Sequence, residues 1–152
     1  MDDHEVAVAA LAAVTKWAPR LGLNPRHVDV QIAALEEPSG ADCVTLDEWG
    51  LHRIRLSANL FPHVRQGDFC VVMPFESDTQ IVERLTLHEL LHAVEQPIGQ
   101  YADREIEFWL GNPYTAGPTA TRPIRELIRG ARETFICRVV LMLLAVDRGE
   151  WA

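Results

Sequence analysis

The sequence predicts a single α+β domain, and three observations carry that expectation. The 152 residues are 48% hydrophobic, which is the size and composition of one domain with a full core. Apolar residues recur at helical spacing in the first, middle and last parts of the chain, whereas short runs between residues 27 and 56 alternate with period two. No internal repeat or low-complexity tract breaks this order.

Residues 3–18 are rich in Ala, Val and Leu, carry Lys16 and Trp17 near their end and stop before Pro19, which predicts an N-terminal helix. Leu21-Gly22-Leu23-Asn24-Pro25 reads as a turn. In His27–Ala33, Val28, Val30 and Ile32 share one face of a first strand, which Pro38-Ser39-Gly40 ends. Cys43–Asp47 is a second strand candidate and Glu48-Trp49-Gly50 a turn. His52–Leu56 alternates again, as a third strand. After a connection from Asn59 to Gly67, Asp68–Pro74 is a short continuous apolar run, as expected of a buried fourth strand.

A central helix follows over Thr79–Glu95, with Ile81, Val82, Leu85, Leu87, Leu90, Leu91 and Val94 as its apolar residues, Asp78 or Thr79 as N-cap, and Pro97 closing it. The chain then turns at Pro97-Ile98-Gly99 and enters a short helix from Tyr101 to Leu110. A loop covers Gly111–Pro118, and a long C-terminal helix runs from Pro123 to about Asp147, stopped by Gly149. Its apolar second half, from Phe135 to Val146, is expected in the core. A small sheet of three or four strands therefore packs on the central helix.

The net charge of -8 disfavours general affinity for nucleic acid or anionic membrane, since both need positive charge to displace counterions. No stretch approaches the roughly 20 apolar residues of a membrane span. The start, Met1-Asp2-Asp3-His4-Glu5, lacks the basic region of a signal peptide. Cys43, Cys70 and Cys137 are odd in number, widely spaced and set among apolar neighbours. They read as reduced core residues, and the expected location is the cytoplasm.

The central helix carries His88-Glu89-Leu90-Leu91-His92, an H-E-x-x-H pattern. Residues four apart lie one above the other on a helix, so both imidazoles can turn a nitrogen toward one point. That point suits zinc, which in catalytic sites takes three protein ligands and leaves one position for water. Glu89 would stand beside that water and take its proton. Leu87, Leu90 and Leu91 around the histidines argue against a merely solvated face.

A third ligand has to come from a carboxylate. If the chain reverses around Pro97–Gly99 and the next helix runs antiparallel, residues whose numbers sum to about 197 face one another, and Glu105 comes level with His92. Glu105 is the first choice. Glu133 is the second, because it begins the apolar stripe Glu133-Ile136-Val140-Leu144, and a carboxylate on such a stripe has a partner, here either the metal or Arg129 four residues earlier. Glu126, Glu107 and Asp103 follow.

With its downstream carboxylate the motif resembles the gluzincin branch of the zincin metallopeptidases, especially the small, single-domain, cytoplasmic or phage-associated H-E-L-L-H proteins. The resemblance covers roughly residues 68–110, and only the five-residue motif is specific. It implies a minimal zincin-like fold in which His88 and His92 bind Zn2+, Glu89 is the general base, and Glu105 matches the acidic position of the following helix. The metzincin extension is absent, because Glu95 and Ile98 stand where its glycine and third histidine would be.

The expected function is that of a zinc metallopeptidase acting on a peptide or protein substrate. The strand nearest the motif helix, either 52–57 or 69–74, would align the peptide by main-chain pairing. The alternative is a regulatory or protein-binding module on the same scaffold without hydrolysis. A third reading places the chain near nucleic acid through Arg122, Arg125, Arg129 and Arg132, which share one helix face, although interleaved Glu126 and Glu133 favour a salt-bridged surface. Trp49 and Tyr114 are candidate cleft residues. His4, His27, His52 and His63 have no partner at ligand spacing.

Overall fold

The structure is a computed structural model that describes residues 1–35, 40–46, 50–61, 76–110 and 118–150; for 97–110 and 118–125 it describes the course of the backbone alone. The described residues form an α+β arrangement of three α-helices and a three-stranded mixed sheet. Among the described residues no helix is long and apolar enough to cross a membrane.

The first helix, α1, spans Asp3–Trp17. Asp2 caps it by accepting from the Glu5 amide at 2.8 Å, while the Glu5 carboxylate accepts from the Asp2 amide at 2.9 Å. This reciprocal pair satisfies amides that the first turn leaves without helical partners. Val6, Ala10, Ala13, Val14 and Trp17 form its buried stripe.

Strands β1 (Val28–Ala33), β2 (Ala41–Thr45) and β3 (His52–Ser57) pair in the order β1-β3-β2. β3 is parallel to β1 and antiparallel to β2. The period-two pattern sorts its side chains: His52, Ile54 and Leu56 are buried, while Arg53 and Arg55 on the other face meet Asp29 and Asp42, their register partners on the two flanking strands. Since both edges of β3 are occupied, residues 52–57 have no main-chain edge to offer a peptide. β2 is the edge strand among the described residues beside the central helix. The expected fourth strand, 68–74, lies outside the described residues, as do Trp49, His63, Cys70 and Tyr114.

The central helix, α2, runs unbroken over Asp78–Leu110. Its cap is Ser77, one residue earlier than expected: Ser77 and Gln80 exchange amide-to-side-chain hydrogen bonds at 2.8 and 3.3 Å. The helix does not end at Pro97, and the separate helix expected over 101–110 is its continuation. Proline removes one hydrogen bond and disfavours helix in its neighbour, which made it read as a stop. Upstream, the helix is fixed by burial of Ile81, Val82, Leu85, Leu87 and Leu90, each worth about 1.5–3 kcal/mol.

The last helix, α3, spans Pro118–Asp147, starting five residues before the expected Pro123. Gly149, at φ 70°, closes it in a left-handed cap, with the Glu150 amide reaching the Ala145 carbonyl at 2.9 Å. Ile136, Val140 and Leu144 join the core formed by α1, α2 and the inner face of the sheet.

Candidate metal centre

α2 and α3 pack against each other with opposite directions, since Glu95 pairs with Arg132 at 2.6 Å while His88 and His92, earlier on α2, meet Glu133 on α3. The four-residue spacing on α2 brings His88 Nε2 within 3.0 Å of His92 Nε2, with ring centroids 4.8 Å apart and planes at 68°. Glu133 completes the group: one carboxylate oxygen lies 3.3 Å from His88 Nε2 and the other 3.3 Å from His92 Nε2. All three residues are half-buried.

The His88 and His92 nitrogens, 3.0 Å apart, and a Glu133 carboxylate oxygen, all within 4.8 Å of one another, are close enough to hold one small cation. With bonds of about 2.0–2.1 Å, tetrahedral ligands sit about 3.3 Å apart. The donor set, two imidazoles and a carboxylate, is one that zinc takes with a position left over. Hydrogen bonds from His88 and His92 hold the Glu133 carboxyl well below the usual carboxylate range. Burial pulls the His92 pKa down, but its hydrogen bond to Glu133 and the nearby charges of Glu89, Glu133 and Glu95 leave it raised.

Glu89 lines the same cleft as the two histidines and Glu133, and is only 6% exposed. Burial pushes its carboxyl up to about 7; His88 and His92 oppose the shift, and the charges of Glu133 and Asp42 add to it. Cys43, on the inner side of β2, is pushed up to about 12 by burial and by the charges of Glu89 and Asp42, so its thiol stays protonated at neutral pH. Cys137, one turn after Glu133, places Sγ 3.8 Å from His88 Nδ1, on the far side of that imidazole from the metal-facing nitrogen.

These groups line one cleft of about 1070 Å³ between β2, α2 and α3. Gly40–Cys43 form its sheet side. At one end the Thr45 hydroxyl lies 3.0 Å from His52 Nδ1 and also bonds the Gln96 side chain, joining the sheet to α2. Arg129 and Arg132 face this cleft. Arg132 is tied to Glu95, and both Glu133 oxygens are directed at the histidines rather than at Arg129.

Glu105, the first choice for third ligand, needed a chain reversal at Pro97–Gly99 that the structure does not contain. It lies thirteen residues beyond His92 on the same continuous helix, roughly 20 Å along the axis. Asp103 and Glu107 share that helix and its distance, and Glu126 is exposed two turns before Glu133. Glu133, the second choice, is the carboxylate at the histidines. Its signal was an acid at the head of the stripe Ile136-Val140-Leu144. Sequence reasoning did not single out Cys43, Asp42 or Cys137 as neighbours of the site, because only the tertiary approach of β2 and α3 puts them there. Set against known proteins, the chain matches no family model, no curated protein and no solved structure.

Proposed function

We propose that the protein is a zinc-dependent metallopeptidase of zincin type, with His88, His92 and Glu133 as metal ligands and Glu89 as general base. The observation that carries this reading is the convergence of two imidazole nitrogens and a carboxylate within 4.8 Å of one another, with a second, buried carboxylate opening on the same cleft. A zinc ion held there supplies a Lewis acid that polarises a carbonyl and acidifies water.

The protein's own groups do the rest. Glu89 is kept from bulk water on the wall of the cleft, where it takes a proton from the attacking water and passes it to the amine released when the C–N bond breaks. Positive charge held by the three ligands favours its ionised form and offsets the burial that raises its pKa. Among the described residues β2 is the strand of the sheet that lines the cleft, and an extended peptide lying in the cleft would run beside it.

The test joins metal content to turnover. Wild-type protein purified without chelator is expected to carry about one zinc per chain and to cleave members of a mixed peptide pool read by mass spectrometry. Glu89→Gln is expected to keep the zinc and lose roughly 10²–10⁴ of the rate. Glu133→Ala is expected to lose the metal, while Glu105→Ala keeps it. Zinc binding without cleavage of any peptide in wild type would favour the non-catalytic module, and full turnover in Glu89→Gln would overturn the mechanism.

A further inference from the structure

α3 is apolar on two opposite faces. Ile136, Val140 and Leu144 face the core, yet Leu127, Phe135, Met142 and Val146 are 74%, 66%, 49% and 61% exposed on the far side. A helix apolar all round is ordinarily covered on both sides, and contiguous exposed apolar area of this kind marks an interaction surface.

The stripe has a symmetry of its own. With Ala131 and Arg138, also exposed, it reads 127, 131, 135, 138, 142, 146, so its steps are four, four, three, four, four. That order is the same read from either end. Two copies of α3 laid antiparallel therefore match every stripe position with another, about a dyad between residues 136 and 137: Leu127 with Val146, Ala131 with Met142, and Phe135 with Arg138. Steps of four, four and three repeat every eleven residues, or 3.67 per turn, so two nearly straight helices stay in register along the whole stripe.

Charge points to the same occupant. The chain has 22 acidic residues and a net charge of -8, which drives copies apart over most of its surface, but none of the six stripe positions is acidic. The one charged position, Arg138, falls opposite the aromatic ring of Phe135, a favourable cation–π pairing. A small residue, Ala131, falls opposite the long Met142, so the surfaces interlock by size as well.

We propose that the protein forms a two-fold homodimer in which the outer faces of the two α3 helices pack antiparallel in this register. The cleft opens on the opposite side of α3, between that helix and α2, so both candidate metal centres stay accessible in the pair. The dimer rests on the stripe alone and is independent of metal or peptidase activity.

Sedimentation equilibrium on the full chain tests it, with circular dichroism as a control on folding. Wild type is expected to be dimeric in the micromolar range. Phe135→Arg places a second cation against Arg138 and is expected to raise the dissociation constant about thirtyfold or more. Adding Arg138→Glu to Phe135→Arg restores the attraction across the dyad and is expected to restore the dimer. Leu127→Glu, at the end of the stripe, is a second disrupting variant at an exposed position. A wild type that stays monomeric, a Phe135→Arg protein that dimerises as well as wild type, or a double variant that stays dissociated would overturn the proposal.

Discussion

Two of the clusters of charged groups that tie α2 to α3 are built on opposite principles. Near the end of α3, Lys16 of α1 reaches Glu83 on α2 at 2.7 Å and Asp147 on α3 at 2.5 Å, Arg20 reaches Asp147 at 2.6 Å, and the Trp17 indole donates to Glu83 at 2.9 Å. Two cations meet two anions, and the donors match the acceptors. At the candidate metal centre, two imidazoles and a carboxylate aim their ligand atoms at one another. The first cluster is complete as a clamp. The second turns the ligand atoms of two imidazoles and a carboxylate toward one another in place of pairing cations with anions, and that difference separates a structural clamp from a candidate metal centre.

The sharpest way to break this comparison is to add zinc. A ligand that binds the folded chain alone stabilises it by about 2.7 kcal/mol at a hundred times its dissociation constant. For a domain of this size that corresponds to a rise in Tm of about 5–10 °C. Wild type is expected to show the rise and Glu133→Ala to show none at the same zinc concentration, both followed by differential scanning calorimetry. Equal stabilisation of the two proteins would mean that zinc binds elsewhere.

A smaller effect is expected at the clamp. Lys16→Ala removes both of its ion pairs, but Lys16 is about one-third exposed and Arg20 still serves Asp147. Loss of about 1 kcal/mol in urea-induced unfolding is expected, with unchanged zinc affinity. A loss of 3 kcal/mol or more, the size typical of a broken buried pair, would show that this cluster behaves as a desolvated one.

How much of this was legible in the sequence follows from the range of each signal. Local patterns were sufficient for α1, for the period-two strands β1 and β3, and for placing His88 and His92 side by side on one helix, because each is decided by neighbours within a turn or a pleat. Pro97 misled because its local preference for ending a helix was outweighed over residues 78–110, and the error carried directly into Glu105. Glu133 stood out as an acid on an apolar stripe, but spacing alone could not say whether it met a metal or Arg129; the approach of α3 to α2 decides which side chains it faces. The sheet order escaped prediction for the same reason. β3 lies between β1 and β2, so the strand with the clearest alternation is the one whose edges are both filled, and β2 is left beside the cleft.

The smallest expected effect is also the cleanest test of the clamp. Hydrogen bonds from Lys16, then from Arg20, lower the Asp147 pKa below its ordinary 3.8. A carboxylate with a depressed folded-state pKa gives stability that is present in full above the unfolded value and is lost as pH falls through the folded one. The wild type should therefore lose the Asp147 contribution below about pH 4, and Asp147→Asn, which cannot ionise, should lack that component of the acid-limb slope. Because the pairs are near the surface, the difference is about 0.5–1 kcal/mol, and it should shrink in high salt. Urea titrations of both proteins between pH 3 and 6 measure it. Identical slopes would place Asp147 among surface acids whose ion pairs contribute nothing, leaving Glu83 and the Trp17 indole to hold α1 against α2.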